Sequence, residues 1–315
     1  MKILITGAFG NLGLMCVEEA LSLGLEVRCF DLDNPANRKK ASLYSTRAEI
    51  ILGDLRDKAI QTTIVQGVDA IIHNASVLPP VTENAPELAQ RINVEACQQL
   101  IEQAALCPQK PVFVFPSSVT VFGLPQAGEQ PRSAQDPVQA TDNYTRHKLT
   151  IENFLKTCPL PWVVLRVGVS VDTRTLATDR KTFRQLLDVQ PQNPFEYVHP
   201  KDVARAMCRA TQTAEARGKI LLIGGGPLCQ VTQRDFLNTA FEALGIPLPL
   251  SAHGQSPFYT HWMDTAESQR ILQFQRHTFA DYQNEMAAKL KPFRYLLFPL
   301  RWLVRAILPP LLKWL

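Results

Sequence analysis

Through residue 167 the chain alternates short apolar runs with longer stretches in which apolar residues recur every three or four positions. That pattern predicts strands and helices taking turns on a parallel sheet. The apolar runs predict strands at Lys2–Thr6, Leu25–Asp31, Ala48–Leu52, Ala70–His73, Val112–Pro116 and Trp162–Arg166. Helical spacing is read from about Asn11 to Leu23, Leu88 to Ala105 and Asn143 to Lys156. The expected fold class is α/β, with a doubly wound parallel sheet over residues 1–167. From Gly168 the alternation becomes irregular, and Pro191, Pro194, Pro247, Pro249 and Pro257 punctuate it. Residues 168–291 are expected to form a smaller, loop-rich substrate-binding region. Within it Val198–Arg205 and Lys219–Ile223 return to the main fold over about 196–225.

The last stretch, 292–315, reads differently. Tyr295, Leu296, Phe298, Trp302, Leu303, Ile307 and Trp314 make it apolar, while Arg294, Arg301, Arg305 and Pro299, Pro309 and Pro310 interrupt it. It is a poor membrane span. If one helix continues through Pro299, Arg294, Arg301 and Arg305 fall within about 40° of one another. A basic stripe beside Trp and Leu is expected of a helix lying on a membrane surface; the alternative is docking on the protein itself or on a second subunit.

Charge sharpens that division. The chain has 33 Lys and Arg against 29 Asp and Glu, a net +4. Six of the cations, Lys289, Lys291, Arg294, Arg301, Arg305 and Lys313, follow Glu285 with no acid after it, leaving 27 cations against 29 acids before them. A weakly acidic body with a basic end argues against general nucleic-acid binding. The seven cysteines are odd in number and scattered without a Cys-x-x-Cys pair. They imply reduced thiols, no zinc site and no disulfide framework. Met1-Lys2 leads into an apolar stretch too short for a secretory signal, so a cytoplasmic location is expected, with the basic end as a candidate contact to the inner membrane surface.

Thr6-Gly7-Ala8-Phe9-Gly10-Asn11-Leu12-Gly13 follows the first strand and opens a helix. Gly7 permits a tight turn, Gly10 a close approach of backbone to a pyrophosphate, and Gly13 close helix–strand packing. The phosphates would rest on free N–H groups at a positive helix end. Asp31 ends the second strand 18 residues after Gly13, where a carboxylate accepts from ribose hydroxyls and repels a 2′-phosphate, so NAD is expected over NADP. The competing readings are a strand-end turn residue at Asp31, and a 2′-phosphate site at Arg38, Lys39 and Lys40.

These residues resemble the extended short-chain dehydrogenase/reductases, the group that includes NAD-dependent epimerase/dehydratases and 3β-hydroxysteroid dehydrogenases. The Thr-Gly-x-x-Gly-x-x-Gly spacing is that family's form, and further segments are similar to its motifs in order. The resemblance implies a Rossmann fold in which Asp54 and Leu55 of Gly53–Asp57 flank the adenine. It implies that the backbone of Asn74, Ala75 and Ser76 lies along the cofactor, and that Asn93 supports the active site. Ser117-Ser118-Val119-Thr120-Val121-Phe122-Gly123 and Tyr144-Thr145-Arg146-His147-Lys148 are similar to its serine strand end and Tyr-x-x-x-Lys helix. Tyr197–Ala204 is similar to its late Val-x-x-x-Asp-Val-Ala element. The resemblance covers about residues 2–225.

Hydride transfer to or from a secondary alcohol needs a group that moves the hydroxyl proton, and a tyrosine does so only where its pKa is brought down from about 10. Lys148 lies one helical turn from Tyr144 on the same face, where its charge is expected to lower that pKa. By resemblance it also holds the nicotinamide ribose. Ser118, 26 residues before Tyr144, is expected to hydrogen-bond the substrate oxygen and the tyrosine. Ser117 is expected to bond backbone only, and Thr120 to pack, with a substrate contact as its alternative. His73 is expected at a strand-end backbone contact, His147 exposed, His199 at most lining the pocket, and Asp202 ordering its turn or capping the helix near Val203. No metal is expected.

Sugar-nucleotide members follow the sixth strand with Arg-x-x-Asn-x-Tyr-Gly-Pro, whereas this chain has Arg166-Val167-Gly168-Val169-Ser170-Val171-Asp172. With apolar Leu78-Pro79-Pro80-Val81 after the fourth strand, this leans toward an apolar or small alcohol or ketone. The expected function is an NAD-dependent dehydrogenase acting on such a substrate. A sugar-nucleotide epimerase or dehydratase with tightly bound NAD is one alternative, and a non-catalytic NAD-binding protein at a membrane is the other. The resemblance also implies a homodimer pairing the Leu88–Ala105 and Asn143–Lys156 helices.

Overall fold

The computed structural model describes residues 1–125, 130–177 and 180–304. The sequence expectations that fall on 305–315, including Arg305, Ile307, Lys313 and Trp314, lie outside the described residues. Among the described residues there are nine strands: β1 Lys2–Thr6, β2 Glu26–Asp31, β3 Glu49–Leu52, β4 Ala70–His73, β5 Val112–Ser118, β6 Trp162–Val167, β7 Pro194–Glu196, β8 Lys219–Ile223 and β9 Gln230–Thr232. Seven form one sheet in the order β3-β2-β1-β4-β5-β6-β8, every neighbouring pair parallel, while β7 and β9 make a small antiparallel ladder. The chain's direction of winding reverses between β1 and β4, and a crevice opens there at the carboxyl ends of the strands.

The sheet is apolar on both faces because helices cover both. Ile3 and Ile5 of β1, Val112 and Val114 of β5, and Val163 and Leu165 of β6 join Val17 and Ala20 of the helix Asn11–Ser22 and Met207 and Ala210 of the helix Pro200–Gln212. The alternate residues Leu4, Phe113, Phe115 and Val164 face Leu100 and Ile101 of the helix Cys97–Ala105 and Ile151 and Leu155 of the helix Asn143–Thr157. A period of two along each strand sorts the side chains between these two cores.

Three differences from the sequence expectation bear on the site. The strand predicted to end at Pro116 runs on through Ser118, because Ser117 and Ser118 pair with Arg166 and Val167 of β6. The single helix predicted over Leu88–Ala105 starts at Pro86 and widens into a π turn at Arg91–Ala96, with Asn93 inside the wide turn. Such turns recur at functional sites. The helix Pro200–Gln212 is capped by His199, whose Nδ1 accepts from the Lys201 N–H at 3.1 Å, and not by Asp202.

Outside the main sheet a third core gathers Phe195, Tyr197, Phe236, Leu237, Phe279, Tyr282, Met286 and Leu290. The helix Phe279–Leu297 opens on a Thr278/Asp281 capping box and passes through Pro292 without ending. Phe298–Leu300 then tightens to a 3-10 turn before Arg301. At about 120° per residue those three positions add about 60°, which still leaves Arg294 and Arg301 about 40° apart around the axis. Arg301 bonds the Arg294 carbonyl and lies against Gly245, the left-handed residue that closes the helix Gln233–Leu244, where a cation suits the negative helix end. Phe293, Tyr295, Leu296, Phe298, Leu300 and Trp302 remain exposed. Among the described residues no helix is long and apolar enough to cross a membrane.

Candidate active site

The glycine loop occupies the crevice. Gly7 has φ +63°, and a Cβ there would come within 2.7 Å of the Ala75 backbone N, so the turn after β1 closes on the segment after β4 only with glycine. A Cβ on Gly13 would collide with the Gly7 carbonyl. Gly10 precedes the helix Asn11–Ser22 with an extended backbone and no side-chain cap, which leaves the first-turn N–H groups for an anion. A cavity of about 570 Å³ opens over this helix end, within the range of cofactor and ligand clefts. In its wall the Asn74 side-chain oxygen is buried without a hydrogen-bond partner, a cost of about 1–3 kcal/mol unless a ligand supplies a donor. The uncapped helix end and the orphaned Asn74 oxygen fit a dinucleotide.

Asp31 stands at the end of β2. One carboxylate oxygen accepts from the Phe9 N–H and the other from the Leu32 N–H, each at 2.7 Å, so it braces the glycine loop. Arg38 is held by Asp33 and Lys40 by the Phe9 carbonyl, which leaves two of the three cations of the NADP alternative engaged elsewhere. The side chains of Phe9 and Leu55 are buried in the core, and Asp54 pairs with Arg56. None of those three residues lines the cavity.

On the opposite side of the crevice Ser118, Tyr144 and Lys148 share the same cavity. Asp142 and Thr145 form a capping box that fixes the start of the helix Asn143–Thr157 and so the height of Tyr144. The Ser118 hydroxyl bonds the Tyr144 phenol and also the Thr120 hydroxyl at 2.8 Å, so Thr120 orients the serine rather than only packing. Lys148 is buried; its ammonium donates to the Pro116 carbonyl at 2.7 Å and lies 4.7 Å from the Phe115 ring centre and 5.6 Å from that of Tyr144. Burial pushes the phenol up to about 12, against the Ser118 bond that draws it down. Lys148 is not among the groups that shift the phenol here, which are burial, Ser118 and Asp142. Burial also brings the Lys148 ammonium down to about 8.

Beneath these residues lies a set that the sequence reading missed. Glu152 accepts from the Ser117 hydroxyl at 2.5 Å and receives the Arg166 guanidinium in a fork, Nε at 3.1 Å and Nη2 at 2.7 Å, all three side chains buried. Ser117 therefore bonds a carboxylate and not backbone. The triad ties β5, β6 and the Tyr144 helix together just below the cavity. The signal was available: Glu152 is one turn beyond Lys148 on a face otherwise apolar, where a charge requires a partner. Asn93 holds the chain after β4 through both its amide atoms, accepting from the Val77 N–H at 2.7 Å and donating to the Val77 carbonyl at 2.8 Å.

The histidines also differ from expectation. His147 is buried, 3.4 Å from the Asn93 amide, because the wide turn brings Asn93 across the Tyr144 helix. His73 meets the Thr6 hydroxyl at 2.9 Å rather than backbone, and burial takes it down to about 3. His199 caps its helix and stacks on His277, with ring centres 4.2 Å apart. Asp202 accepts from the backbone N–H groups of Arg276 and His277 and pairs with the His277 ring, anchoring a distant turn instead of its own helix.

The sequence profile described as the NAD dependent epimerase/dehydratase family matches residues 3–166. A D-erythronate dehydrogenase of Cupriavidus necator is 31% identical over 147 residues, covering 43% of each chain. A 3-beta-hydroxysteroid dehydrogenase of Mycolicibacterium neoaurum is 28% identical over 165 residues, 49% of this chain and 42% of the relative. The chain thus spans about half the length or less of these curated relatives. Among solved structures, a dTDP-glucose 4,6-dehydratase double mutant from Streptomyces venezuelae with NAD bound superposes with a TM-score of 0.76 at 21% identity, covering 95% of this chain and all of that one. That likeness establishes the shared fold.

Proposed function

The chain belongs to the NAD-dependent epimerase/dehydratase family, whose cofactor is NAD, and on that premise we propose that it interconverts a secondary alcohol and a ketone by hydride transfer. The observation that carries this reading is the convergence of Ser118, Tyr144 and Lys148 on the cavity that the uncapped glycine-loop helix also enters. Bound NAD supplies the hydride acceptor or donor. Tyr144, protonated at neutral pH with its pKa near 12, is set to donate its proton to a carbonyl oxygen. Ser118 positions that oxygen while Thr120 holds the serine hydroxyl. Lys148, fixed by the Pro116 carbonyl, supplies the positive charge beside the phenol and the ribose contact. In the oxidative direction the phenol has to release its proton first, and this is where the adjacent ammonium helps.

Leu78, Pro116 and Val171 line the substrate side of the cavity and favour an apolar or small substrate. Sugar-nucleotide chemistry is the second reading, favoured by the dehydratase likeness, and a non-catalytic NAD-binding role is the third. Tyr144→Phe separates the catalytic readings from the third: NAD titrates with near-normal affinity while turnover on a panel of alcohols, sterols and nucleotide sugars falls by roughly 10²–10⁴. Retained turnover in the variant would remove Tyr144 from the mechanism.

Two further parts of the reading concern surfaces. The exposed apolar residues from Phe293 to Trp302, followed by cations unopposed in the sequence, support contact with an anionic membrane surface. The family resemblance supports a homodimer through the helices that end at Ala105 and Thr157.

A further inference from the structure

The segment after β6, where this chain departs from the sugar-nucleotide motif, carries a cation that reaches back over the glycine loop. Arg174, on the turn Thr173–Ala177, donates through Nη1 to the Asn11 side-chain oxygen at 2.7 Å. Its Nε and Nη2 hold the Asp172 carboxylate at 2.8 and 2.5 Å. Asn11 is the first residue of the helix whose N-terminus has no side-chain cap, and Arg174, Asp172 and Asn11 all line the same cavity. A residue from beyond position 170 is thus bonded to the point where an anion would rest.

We propose that Arg174 is a cofactor clamp: it exchanges Asp172 for the diphosphate of bound NAD and presses that diphosphate onto the Asn11–Ser22 helix end. The inference rests on the NAD-binding reading and goes beyond it. A guanidinium fork matches phosphate oxygens as well as it matches a carboxylate, and a diphosphate carries more charge than Asp172. Asp172 then acts as a parking site that orders the arginine before binding and competes with the ligand afterwards. The position selects the cofactor over the substrate. Asn11 follows β1, while Ser118 ends β5, and β4 lies between them, so the two points are separated by about 10 Å of sheet.

The test titrates the full chain and two variants calorimetrically with NAD, with ADP, and with adenosine, which lacks the diphosphate. Arg174→Gln weakens NAD and ADP by roughly ten- to a hundredfold and leaves adenosine unchanged. Asp172→Asn tightens NAD and ADP by about threefold to tenfold, and the gain disappears when Arg174→Gln is added. Unchanged NAD and ADP affinity in Arg174→Gln overturns the clamp. An equal loss for adenosine also overturns it, because Arg174 is then structural. A raised substrate KM with normal NAD affinity assigns Arg174 to the substrate instead. A parent protein that binds neither NAD nor ADP fails at the earlier step and overturns the NAD reading itself.

Discussion

The fold treats charge in opposite ways beneath the active site and at its C-terminal end. Glu152 and Arg166 keep 1% and 3% of their side chains exposed, forked together and bonded to Ser117 within an apolar core. Beyond Leu290 the arrangement is inverted: Leu296 and Trp302 are each 73% exposed, and they share their stretch with the exposed Arg294. The first region hides both its apolar surface and its charge, and the charge is tolerated because each member has a partner. The second displays both. A region that hides charge is fixing a geometry, here the relation of β5 and β6 to the Tyr144 helix. A region that shows apolar and basic groups side by side is suited to a boundary between water and something else.

The largest expected effect tests the buried side of this contrast. Glu152→Ala leaves the Arg166 guanidinium and the Ser117 hydroxyl inside the core without their acceptor, and should cost about 3–5 kcal/mol in urea unfolding. Replacing both Glu152 and Arg166 by methionine should cost less than the single change, because no uncompensated charge remains. If Glu152→Ala loses under about 1 kcal/mol, the triad is not what holds the site in place.

Lys148 is the sharper case, a buried cation held by a carbonyl rather than a carboxylate. Its pKa is brought from 10.5 down to about 8, so the folded state binds this proton more weakly than the unfolded chain does. The penalty is fully present below pH 8, shrinks as pH rises from 8 toward 10.5, and vanishes above that. Lys148→Met should therefore unfold at a higher temperature than the parent at pH 7, by up to roughly 3 kcal/mol of stability, while losing turnover. The advantage should narrow between pH 8 and 10. A variant less stable than its parent at pH 7 would show that the ammonium's bond to Pro116 outweighs its desolvation.

How much of this was legible in the sequence follows the same division. The strands from β1 to β6 and the cavity's glycine side were readable because backbone geometry dictates residue type there: Gly7 sits at positive φ against Ala75. That Tyr144 and Lys148 share a helix face was readable from their spacing, while Ser118 was readable only through the family resemblance. The triad was harder, because it joins Ser117, Glu152 and Arg166 across up to 49 positions, and only the fold brings them into contact. His147 was misplaced because a standard helix over Leu88–Ala105 does not carry Asn93 to it; the π turn does. The cross-cavity bond from Arg174 to Asn11 depends on the irregular segment after β6, which has no period to read.

The smallest expected effect concerns the displayed side. If the C-terminal end meets an anionic membrane surface, its exposed residues should matter for vesicle binding and hardly at all for folding. The helix Phe279–Leu297 takes its stability from Phe279, Tyr282, Met286 and Leu290, which are buried, so changes beyond Leu290 leave that packing intact. Arg301 is best left untouched, because it lies on the end of the helix Gln233–Leu244 and serves the fold. Leu296→Ser with Trp302→Ser, two substitutions at exposed positions, should shift stability by no more than about 0.5 kcal/mol each. The same pair should reduce co-sedimentation with phosphatidylserine-containing vesicles by well over tenfold, since each large apolar side chain contributes about 1.5–3 kcal/mol when buried in lipid. Arg294→Gln removes a single cation near the surface, worth about 1 kcal/mol, and so weakens binding about fivefold, an effect that salt erases. Pure phosphatidylcholine vesicles should bind the parent weakly and show no difference between parent and Arg294→Gln. A parent chain that ignores anionic vesicles, together with a Leu296/Trp302 variant that unfolds early, would mean that the apolar end is covered by protein, and the contrast between the two regions would lose its second half.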